Sequence, residues 1–229
     1  LAEPLPDGRL ALYSQGQGTE NRRWIPSYDE PDDRLTWNVT VIARKDLETV
    51  SNGTLSESVA NPDGTRTDRW RFPWRSPIYL LTLIVADLET VTERWKEVTL
   101  EGSAVPGHRE ELVTSLKETA HMLEVFSDLT GETYPWPRYA QTYVWDFLYG
   151  GMENTTATTL NMRALHTESA RPNYMSEGLV AHELAHMWFG DLLTCKTWDH
   201  IWLNEGFATY MTDVWFEHRF GEEALLLRR

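Results

Sequence analysis

Apolar and polar positions follow different patterns in the two halves of the chain. Up to about residue 100 the apolar residues alternate with polar ones or form short β-branched runs, most clearly over residues 36–43 and 78–85. Such patterns are typical of strands. The dipeptides Asn-Gly at 52–53 and Asp-Gly at 63–64 predict hairpin turns. The first half is therefore predicted to form antiparallel β-structure.

Helical periodicity replaces this pattern after residue 102. From residue 109 to 129 apolar side chains recur at three- and four-residue spacing, which predicts a single amphipathic helix that ends near Gly131. Residues 141–147 have the pattern of a strand that leads into residues 150–154. The hydrophobic pattern of the sequence therefore changes near residue 100.

Two further helices are predicted, over residues 176–189 and 202–220. Gly190 and Gly221 follow their last turns, where glycine commonly caps a helix. Together with the first half, these elements predict an α+β fold. The change of pattern predicts one domain over residues 1–100 and a second over residues 101–229.

Composition and charge narrow the classes of function. The 229 residues include 21 Lys and Arg against 35 Asp and Glu, which gives a formal net charge of −14. Nucleic-acid binding is therefore disfavoured, because contact with phosphates requires a basic surface. No apolar run reaches the roughly 18 residues that a membrane-spanning helix needs. Because Cys195 is the single cysteine, an intramolecular disulfide and a multi-cysteine zinc site are excluded.

The strongest chemical signal is the segment 182–186, which has the sequence HELAH. On a helix His182 and His186 lie on one face, with Cβ atoms about 5–6 Å apart, so both imidazoles can reach one cation. Two histidines at this spacing also occur by chance. Here, however, the other positions of the predicted helix are apolar, which indicates burial. A bound metal explains why two histidines and Glu183 lie in such a helix.

A third ligand is available on the next predicted helix. Glu205 lies near its start, and taken alone it would be an ordinary solvated carboxylate. Two His and one Glu, with a fourth position left to water, are the ligands of a catalytic zinc site rather than a structural one. We therefore predict that His182, His186 and Glu205 bind one Zn²⁺ per chain.

This ligand set predicts metal-assisted hydrolysis. A bound zinc ion lowers the pKa of water to about 7 and polarises a carbonyl oxygen. Glu183 lies next to the ligands without being one of them. It can therefore take a proton from that water and deliver it to a leaving amine. The predicted reaction is hydrolysis of an amide, with Glu183 as the catalytic residue.

These motifs resemble those of a known family. HELAH at 182–186, WLNEGFATY at 202–210 and GGMEN at 150–154 are together similar to the motifs of the gluzincin aminopeptidases, which include alanyl aminopeptidases and leukotriene hydrolases. Residues 22–31 are similar to the N-terminal β-domain of the family, and residues 134–136 to the start of its catalytic domain. The resemblance implies that the chain holds part of that β-domain, followed by the N-terminal part of a thermolysin-like zinc metallopeptidase domain.

The resemblance also implies how substrate is bound. Glu153 matches the glutamate that binds the free α-amine of the substrate, and Gln17 matches the Gln or Glu of the β-domain that joins it. An ammonium group needs such acceptors in place of water. Without the resemblance, Glu153 would be interpreted as a surface carboxylate and Gln17 as a loop residue. The predicted substrate-binding residues are Gln17, Gly150, Gly151, Met152, Glu153 and Asn154.

The leading interpretation is a zinc aminopeptidase whose substrates are peptides with a free N-terminal amine. The alternatives are a thermolysin-like endopeptidase, an epoxide hydrolase and aminopeptidase of the leukotriene type, and a zinc-binding relative that serves as an interaction scaffold. Residues 196–200 and Gln17 resemble the leukotriene branch most. The chain ends at Arg229, before the position of the family's catalytic tyrosine. We therefore expect a fragment that binds zinc and hydrolyses peptides poorly.

Overall fold

The computed structural model describes residues 2–4 and 10–223. Among these residues, seven strands precede residue 87: β1 (Ala2–Pro4), β2 (Leu10–Tyr13), β3 (Arg34–Arg44), β4 (Glu48–Ser51), β5 (Thr54–Ala60), β6 (Thr65–Pro77) and β7 (Leu83–Ala86). One sheet has the order β1-β2-β7-β4 and the other has the order β3-β6-β5. Every neighbouring pair is antiparallel, so the predicted antiparallel β-structure is confirmed.

The two dipeptides predicted to form hairpins have different roles. Gly64 has a φ of +86° and joins β5 to its antiparallel partner β6, which confirms the hairpin at 63–64. The hairpin predicted at 52–53 is wrong, because β4 pairs with β7 in one sheet and β5 pairs with β6 in the other. Gly53 has a φ of +78°, and a Cβ on it would collide with the carbonyl oxygen of Arg71. The chain therefore crosses from one sheet to the other at this dipeptide, and position 53 has no room for a side chain.

The apolar run at 78–85 is only partly a strand. Residues Ile78–Leu80 form one turn of 3₁₀-helix, and β7 begins at Leu83. All three side chains of this turn are buried. A segment that is buried on every side has a continuous apolar sequence in either conformation. Periodicity therefore could not distinguish the turn from a strand.

The second region combines a mixed sheet with α-helices. Its strands are β8 (Glu89–Trp95), β9 (Val98–Ala104), β10 (Arg138–Val144), β11 (Gly151–Met152) and β12 (Ala157–Asn161), and its helices are α1 (Arg109–Leu116), α2 (Thr119–Thr130), α3 (Glu177–Ala185) and α4 (Trp202–Phe220). The strand order is β11-β12-β10-β9-β8, and β10 is parallel to both of its neighbours. The predicted α+β class is confirmed.

The single helix predicted over 109–129 is wrong, since a turn divides it into α1 and α2. At this turn the Thr119 side chain is fully buried, and its hydroxyl accepts a hydrogen bond of 2.8 Å from Nε2 of Gln141 on β10. The apolar spacing continues across the turn, so the sequence pattern did not reveal it. α2 ends near the predicted Gly131, whose φ of +71° is typical of a helix C-cap.

The two later helices agree with prediction to different extents. α4 covers the predicted residues 202–220, and Gly221 follows it with a φ of +87°. α3 ends at Ala185, earlier than predicted, and the chain continues in turns to Gly190. Within the described residues, none of the helices combines the length and the apolarity that crossing a membrane requires.

The predicted boundary after residue 100 falls inside β9. This strand is hydrogen-bonded to β8 on one side and to β10 on the other. The sheet of the second region therefore begins at Glu89. The division into two domains stays a prediction, and the hydrogen bonding favours a position between β7 and β8 over one after residue 100.

A small buried cluster joins the two regions next to residues 150–154. It brings five residues of the first region together with four of the second: Tyr13, Val50, Tyr79, Leu80 and Ile84 with Val144, Phe147, Met152 and Ala157. A larger cluster lies between the helices and the five-stranded sheet, with Leu123, Phe126, Leu160 and Leu184 among its fully buried members. The segment predicted to bind substrate is therefore held between two packed regions.

Candidate metal centre and active site

α3 places the two histidines of the HELAH segment one turn apart on one face. His182 lies inside α3, and His186 follows its last residue with helical dihedrals, φ −59° and ψ −24°. Their Nε2 atoms are 3.1 Å apart and their rings are nearly perpendicular, at 87°. The His186 side chain is 1% exposed and that of His182 is 25% exposed. The pair is therefore buried on one side and accessible on the other.

Glu205, in the first turn of α4, completes a triangle with this pair. Its Oε2 atom lies 3.3 Å from Nε2 of His182 and 3.5 Å from Nε2 of His186. Three ligands at tetrahedral angles around zinc, with bonds of about 2.0–2.1 Å, would have their donor atoms about 3.3 Å apart. The two nitrogens and one oxygen therefore fit a single Zn²⁺ ion in both type and spacing.

A hydrogen bond fixes which nitrogen of His186 points toward the triangle. Nδ1 of His186 donates to the carbonyl oxygen of Phe189 at 3.0 Å. Because a carbonyl only accepts, Nδ1 carries the proton and Nε2 is free to bind a metal. The turn that supplies this carbonyl requires Gly190, whose φ is +144° and whose added Cβ would lie 3.2 Å from Nδ1.

The electrostatic environment of the triangle favours positive charge. Burial lowers the pKa of His186, but the nearby carboxylates of Glu153, Glu205 and Glu183 outweigh burial and raise that pKa to about 10. Hydrogen bonds with His182 and His186 hold the pKa of Glu205 well below its usual range. Protons and metal ions compete for such donors. The surrounding carboxylates would therefore also favour a divalent cation at Nε2.

Glu183 is buried beside the histidines, and only 5% of it is exposed. Burial raises the pKa of Glu183 to about 8, against the opposing effect of His186. Its carboxylate packs on Gly151 of β11, where a Cβ would lie 2.5 Å from Cδ of Glu183 and 2.7 Å from Cγ. The carboxylate of Glu183 can therefore take this position only because residue 151 has no side chain.

Replacing Gly151 with Ala is expected to lower hydrolysis by about 10²-fold, because the new methyl group displaces the Glu183 carboxylate and an ångström of misplacement costs about that much. Zinc content should not change, since Gly151 is not among the metal donors. Gly64→Ala is the control for lost stability: no described atom lies within 4 Å of its added Cβ, but its φ of +86° is strained for alanine, so this variant should be less stable and equally active. Equal activity of the Gly151 variant and the wild type would contradict the assigned contact.

Glu153 lies in the same pocket as Glu183 and His186. One donor atom from each of these three residues lies within 4.8 Å of the others. Glu153 is 2% exposed, and its Oε1 atom has no hydrogen-bond partner among the described residues. Burial raises its pKa, and Glu205 adds to this effect while the two histidines oppose it. A buried carboxylate oxygen without a partner is costly unless a ligand supplies one.

Gln17 also contacts the triangle, but its partner is the predicted metal ligand Glu205 and not Glu153. Its Nε2 donates a hydrogen bond of 3.3 Å to Oε1 of Glu205, while the other oxygen of Glu205 faces the histidines. Gln17 comes from the first region and Glu205 from the second. The structure thus places the predicted Gln17 at the site, in contact with the third metal donor.

The side chains of Met152 and Asn154 hold the segment in place. Both are buried. Asn154 donates to the carbonyl of Leu80 at 3.2 Å and accepts from the hydroxyl of Thr159 at 3.0 Å. Any contact with substrate at these two positions is therefore left to the backbone. Gly150, in turn, accepts a backbone hydrogen bond of 2.9 Å from Asn161.

Two supporting residues were not predicted from the sequence. Asn204 is fully buried beside Glu205, donates to the hydroxyl of Tyr79 at 3.2 Å and accepts from the backbone N–H of Cys195 at 3.1 Å. It ties the start of α4 to the first region. Asn52, at the crossing between the sheets, donates to the carbonyl of Thr155 at 2.8 Å. The position of Asn204 next to the predicted ligand Glu205 was the one sequence feature that could have indicated its role. Asn52 was interpreted only as a turn residue.

The sequence matches two family descriptions. Residues 7–80 match the Peptidase M1 N-terminal domain, and residues 114–228 match the Peptidase family M1 domain. These ranges cover most of both regions of the fold, and the second contains every predicted metal donor.

Three similar proteins illustrate the relationship. Probable aminopeptidase 1 of Saccharolobus solfataricus is 30% identical over 217 residues, which are 93% of this chain and 28% of that protein. Aminopeptidase 2 of Candida albicans and endoplasmic reticulum aminopeptidase 1 of Homo sapiens are each 32% identical over 90% of this chain, and over 23% and 22% of their own lengths. The chain therefore spans about a quarter of the length of these relatives. The chain belongs to peptidase family M1.

Proposed function

We propose that this chain provides the zinc-binding and amine-binding residues of an aminopeptidase that hydrolyses the N-terminal bond of peptides. The observation that supports this most is the arrangement of the pocket. Three donors spaced for one zinc ion, His182, His186 and Glu205, lie next to Glu153. One buried carboxylate oxygen of Glu153 lacks a partner within the part of the chain that the structure describes. The relatives described above are named aminopeptidases, which agrees with this proposal.

Glu153 would bind the free α-amine of the substrate. An ammonium group brings both the positive charge and the N–H donor that the unpartnered oxygen lacks, and such charge-assisted hydrogen bonds are about twice as strong as neutral ones. One donor atom of Glu153 lies within 4.8 Å of one atom each of Glu183 and His186. A substrate held by its amine would therefore present its first peptide bond to the metal donors, which makes the reaction that of an exopeptidase.

Glu183 would act as the general base and then as the general acid. Burial raises the pKa of Glu183 to about 8, so the carboxyl group can both accept and release a proton near neutral pH. It would accept a proton from the attacking water and return it to the leaving amine. When bound by His182, His186 and Glu205, zinc supplies a Lewis acid for the carbonyl oxygen and lowers the pKa of water.

The comparisons bear differently on the alternatives. The relatives described above are all named aminopeptidases, so the leukotriene type is not favoured. An endopeptidase would need no acceptor for a terminal amine and leaves the buried Glu153 unexplained. A scaffold would need neither Glu153 nor the tautomer that the Phe189 carbonyl imposes on His186. The aminopeptidase proposal accounts for both.

A pair of matched ligands tests this proposal. The test uses the Glu183→Gln chain loaded with zinc, because this variant should bind the ligands without hydrolysing them. It would be titrated calorimetrically with an aminoacyl amide and with the N-acetylated form of the same amide. We expect tighter binding of the free amine. Replacing Glu153 with Gln in addition should lower the affinity for the free amine about 10- to 100-fold, the value of a hydrogen bond between charged groups. The affinity for the N-acetylated form should not change.

Each other result counts against the proposal. Equal binding of the two ligands would indicate an endopeptidase, and binding of neither to the zinc-loaded chain would favour the scaffold interpretation. The control is Glu93→Gln in the same Glu183→Gln chain; it replaces an exposed carboxylate on β8 and should leave both affinities as in the Glu183→Gln chain.

A further inference from the structure

A second pair of facing histidines lies on the surface, away from the HELAH segment. His121 is in the first turn of α2, and His218 is in the last turn of α4. Their Nε2 atoms are 3.1 Å apart and their rings meet at 71°. The two residues are 97 positions apart in the sequence, so only the packing of α2 against α4 brings them together.

The geometry of this pair repeats that of the predicted zinc ligands. Nε2 of His182 and Nε2 of His186 are likewise 3.1 Å apart, and those rings meet at 87°. Two nitrogens on adjacent positions of one metal, with bonds of about 2.0–2.1 Å, lie about 2.8–3.0 Å apart in octahedral and about 3.3–3.4 Å apart in tetrahedral coordination, and 3.1 Å falls between these values. Imidazole is a preferred ligand for zinc, copper and nickel.

The neighbours of the pair hold the two rings in position. The fully buried Trp215 packs edge-to-face against His121, with ring centroids 5.1 Å apart, and stacks on His218 at 6.3 Å. Glu118 lies 3.7 Å from Nδ1 of His121, and its other oxygen accepts a hydrogen bond of 3.0 Å from Arg219. A carboxylate behind a ligating imidazole is common at metal sites, because it orients the ring.

We propose that His121 and His218 form a second site for a zinc-type divalent cation, with the remaining positions open to water. The exposed ring edges give an ion access from solvent, and the net charge of −14 attracts cations. The position of His218 adds to this, because the negative end of the helix dipole at the end of α4 favours a cation.

Such an ion would give α4 a second attachment point, at the end opposite Glu205. Glu205 lies in the first turn of α4 and His218 in its last, which is about 20 Å along the helix. An ion held between His121 and His218 would fasten the far end of α4 to α2. Because a ligand that binds only the folded state stabilises it, the second ion should protect the helix that supplies Glu205.

Metal stoichiometry tests this proposal. The chain would first be loaded with one equivalent of Zn²⁺, and further Zn²⁺ would then be added in equilibrium dialysis, with bound metal measured by mass spectrometry. We expect a second, weaker equivalent. Replacing His218 or His121 with Asn should weaken that equivalent by at least about tenfold, because one of two protein ligands is lost. The first equivalent should remain, which also shows that the variant is folded.

The control is His200→Asn, an exposed histidine outside both pairs, which should retain both equivalents. Failure to bind a second equivalent, or a second equivalent that persists unchanged in His121→Asn and His218→Asn, would overturn the proposal. The two rings would then only share a proton in a hydrogen bond. The proposal is independent of catalysis, because the variants leave the HELAH segment intact.

Discussion

Replacing Glu183 with Gln is expected to lower peptide hydrolysis by about 10²- to 10⁴-fold while zinc stays bound, the usual contribution of a general base. The amide has nearly the same shape as the carboxylate, so its contact with Gly151 is kept. It cannot accept a proton from water. Loss of activity without loss of metal would separate the role of Glu183 from that of the ligands on either side of it.

Hydrolysis of an aminoacyl amide and bound zinc are the two quantities to measure. The matched control is Glu93→Gln, which removes an exposed carboxylate on β8 and should change neither. If Glu183→Gln loses its zinc, Glu183 belongs to the metal ligands and the proposed division of roles is wrong. If the variant keeps full activity, another group is the base.

Replacing His186 with Ala is expected to remove zinc and hydrolysis together. His186 is almost completely buried, and its Nδ1 is committed to the Phe189 carbonyl, so no other orientation of the ring is available to it. Its loss leaves two donors, His182 and Glu205, beside the carboxylates of Glu153 and Glu183. Loss of a residue that only supports a metal ligand lowers metal affinity about 10- to 100-fold. Because His186 is itself a predicted ligand, we expect a larger fall in zinc affinity.

Bound zinc after dialysis is the measurement for this variant. The control is His108→Asn, which removes a histidine that precedes α1 and should keep one equivalent. A His186→Ala chain that binds zinc as tightly as the wild type would contradict the assignment of this residue, and so would hydrolysis at the wild-type rate.

Much of the site follows from local sequence, because its chemistry lies on helices. His182 and His186 are four residues apart, and helical geometry alone brings their imidazoles together. Glu205 was predicted from the residue types that zinc prefers, and its place in the first turn of α4 needed only a correct helix start. The helix predicted over residues 202–220 supplied that start.

Long-range contacts could not be predicted in the same way. The hydrogen bond between Gln17 and Glu205 joins residues 188 positions apart, and no periodicity reports such a pairing. The same holds for Asn52, whose Asn-Gly sequence favours a hairpin, although its buried side chain holds the carbonyls of Leu80 and Thr155. Tertiary packing overrode the local preference there.

The turn between α1 and α2 illustrates a third limit of local pattern. Apolar spacing is continuous from Leu112 to Phe126, yet the chain turns between α1 and α2, where Thr119 accepts a hydrogen bond from Gln141. A buried polar contact with β10 therefore accompanies the turn. The residue type of Thr119 alone could not show this, because threonine is also common on exposed helix faces.

X-ray absorption spectroscopy of the chain loaded with one equivalent of zinc tests the central claim most directly. The account predicts a first shell of nitrogen and oxygen only, at about 2.0–2.1 Å, with the multiple scattering of two imidazoles from His182 and His186. Replacing Glu205 with Ala should remove one oxygen and leave both imidazoles. A shell that contains sulfur, or an unchanged two-imidazole signal in a chain that lacks His182 and His186, would contradict it.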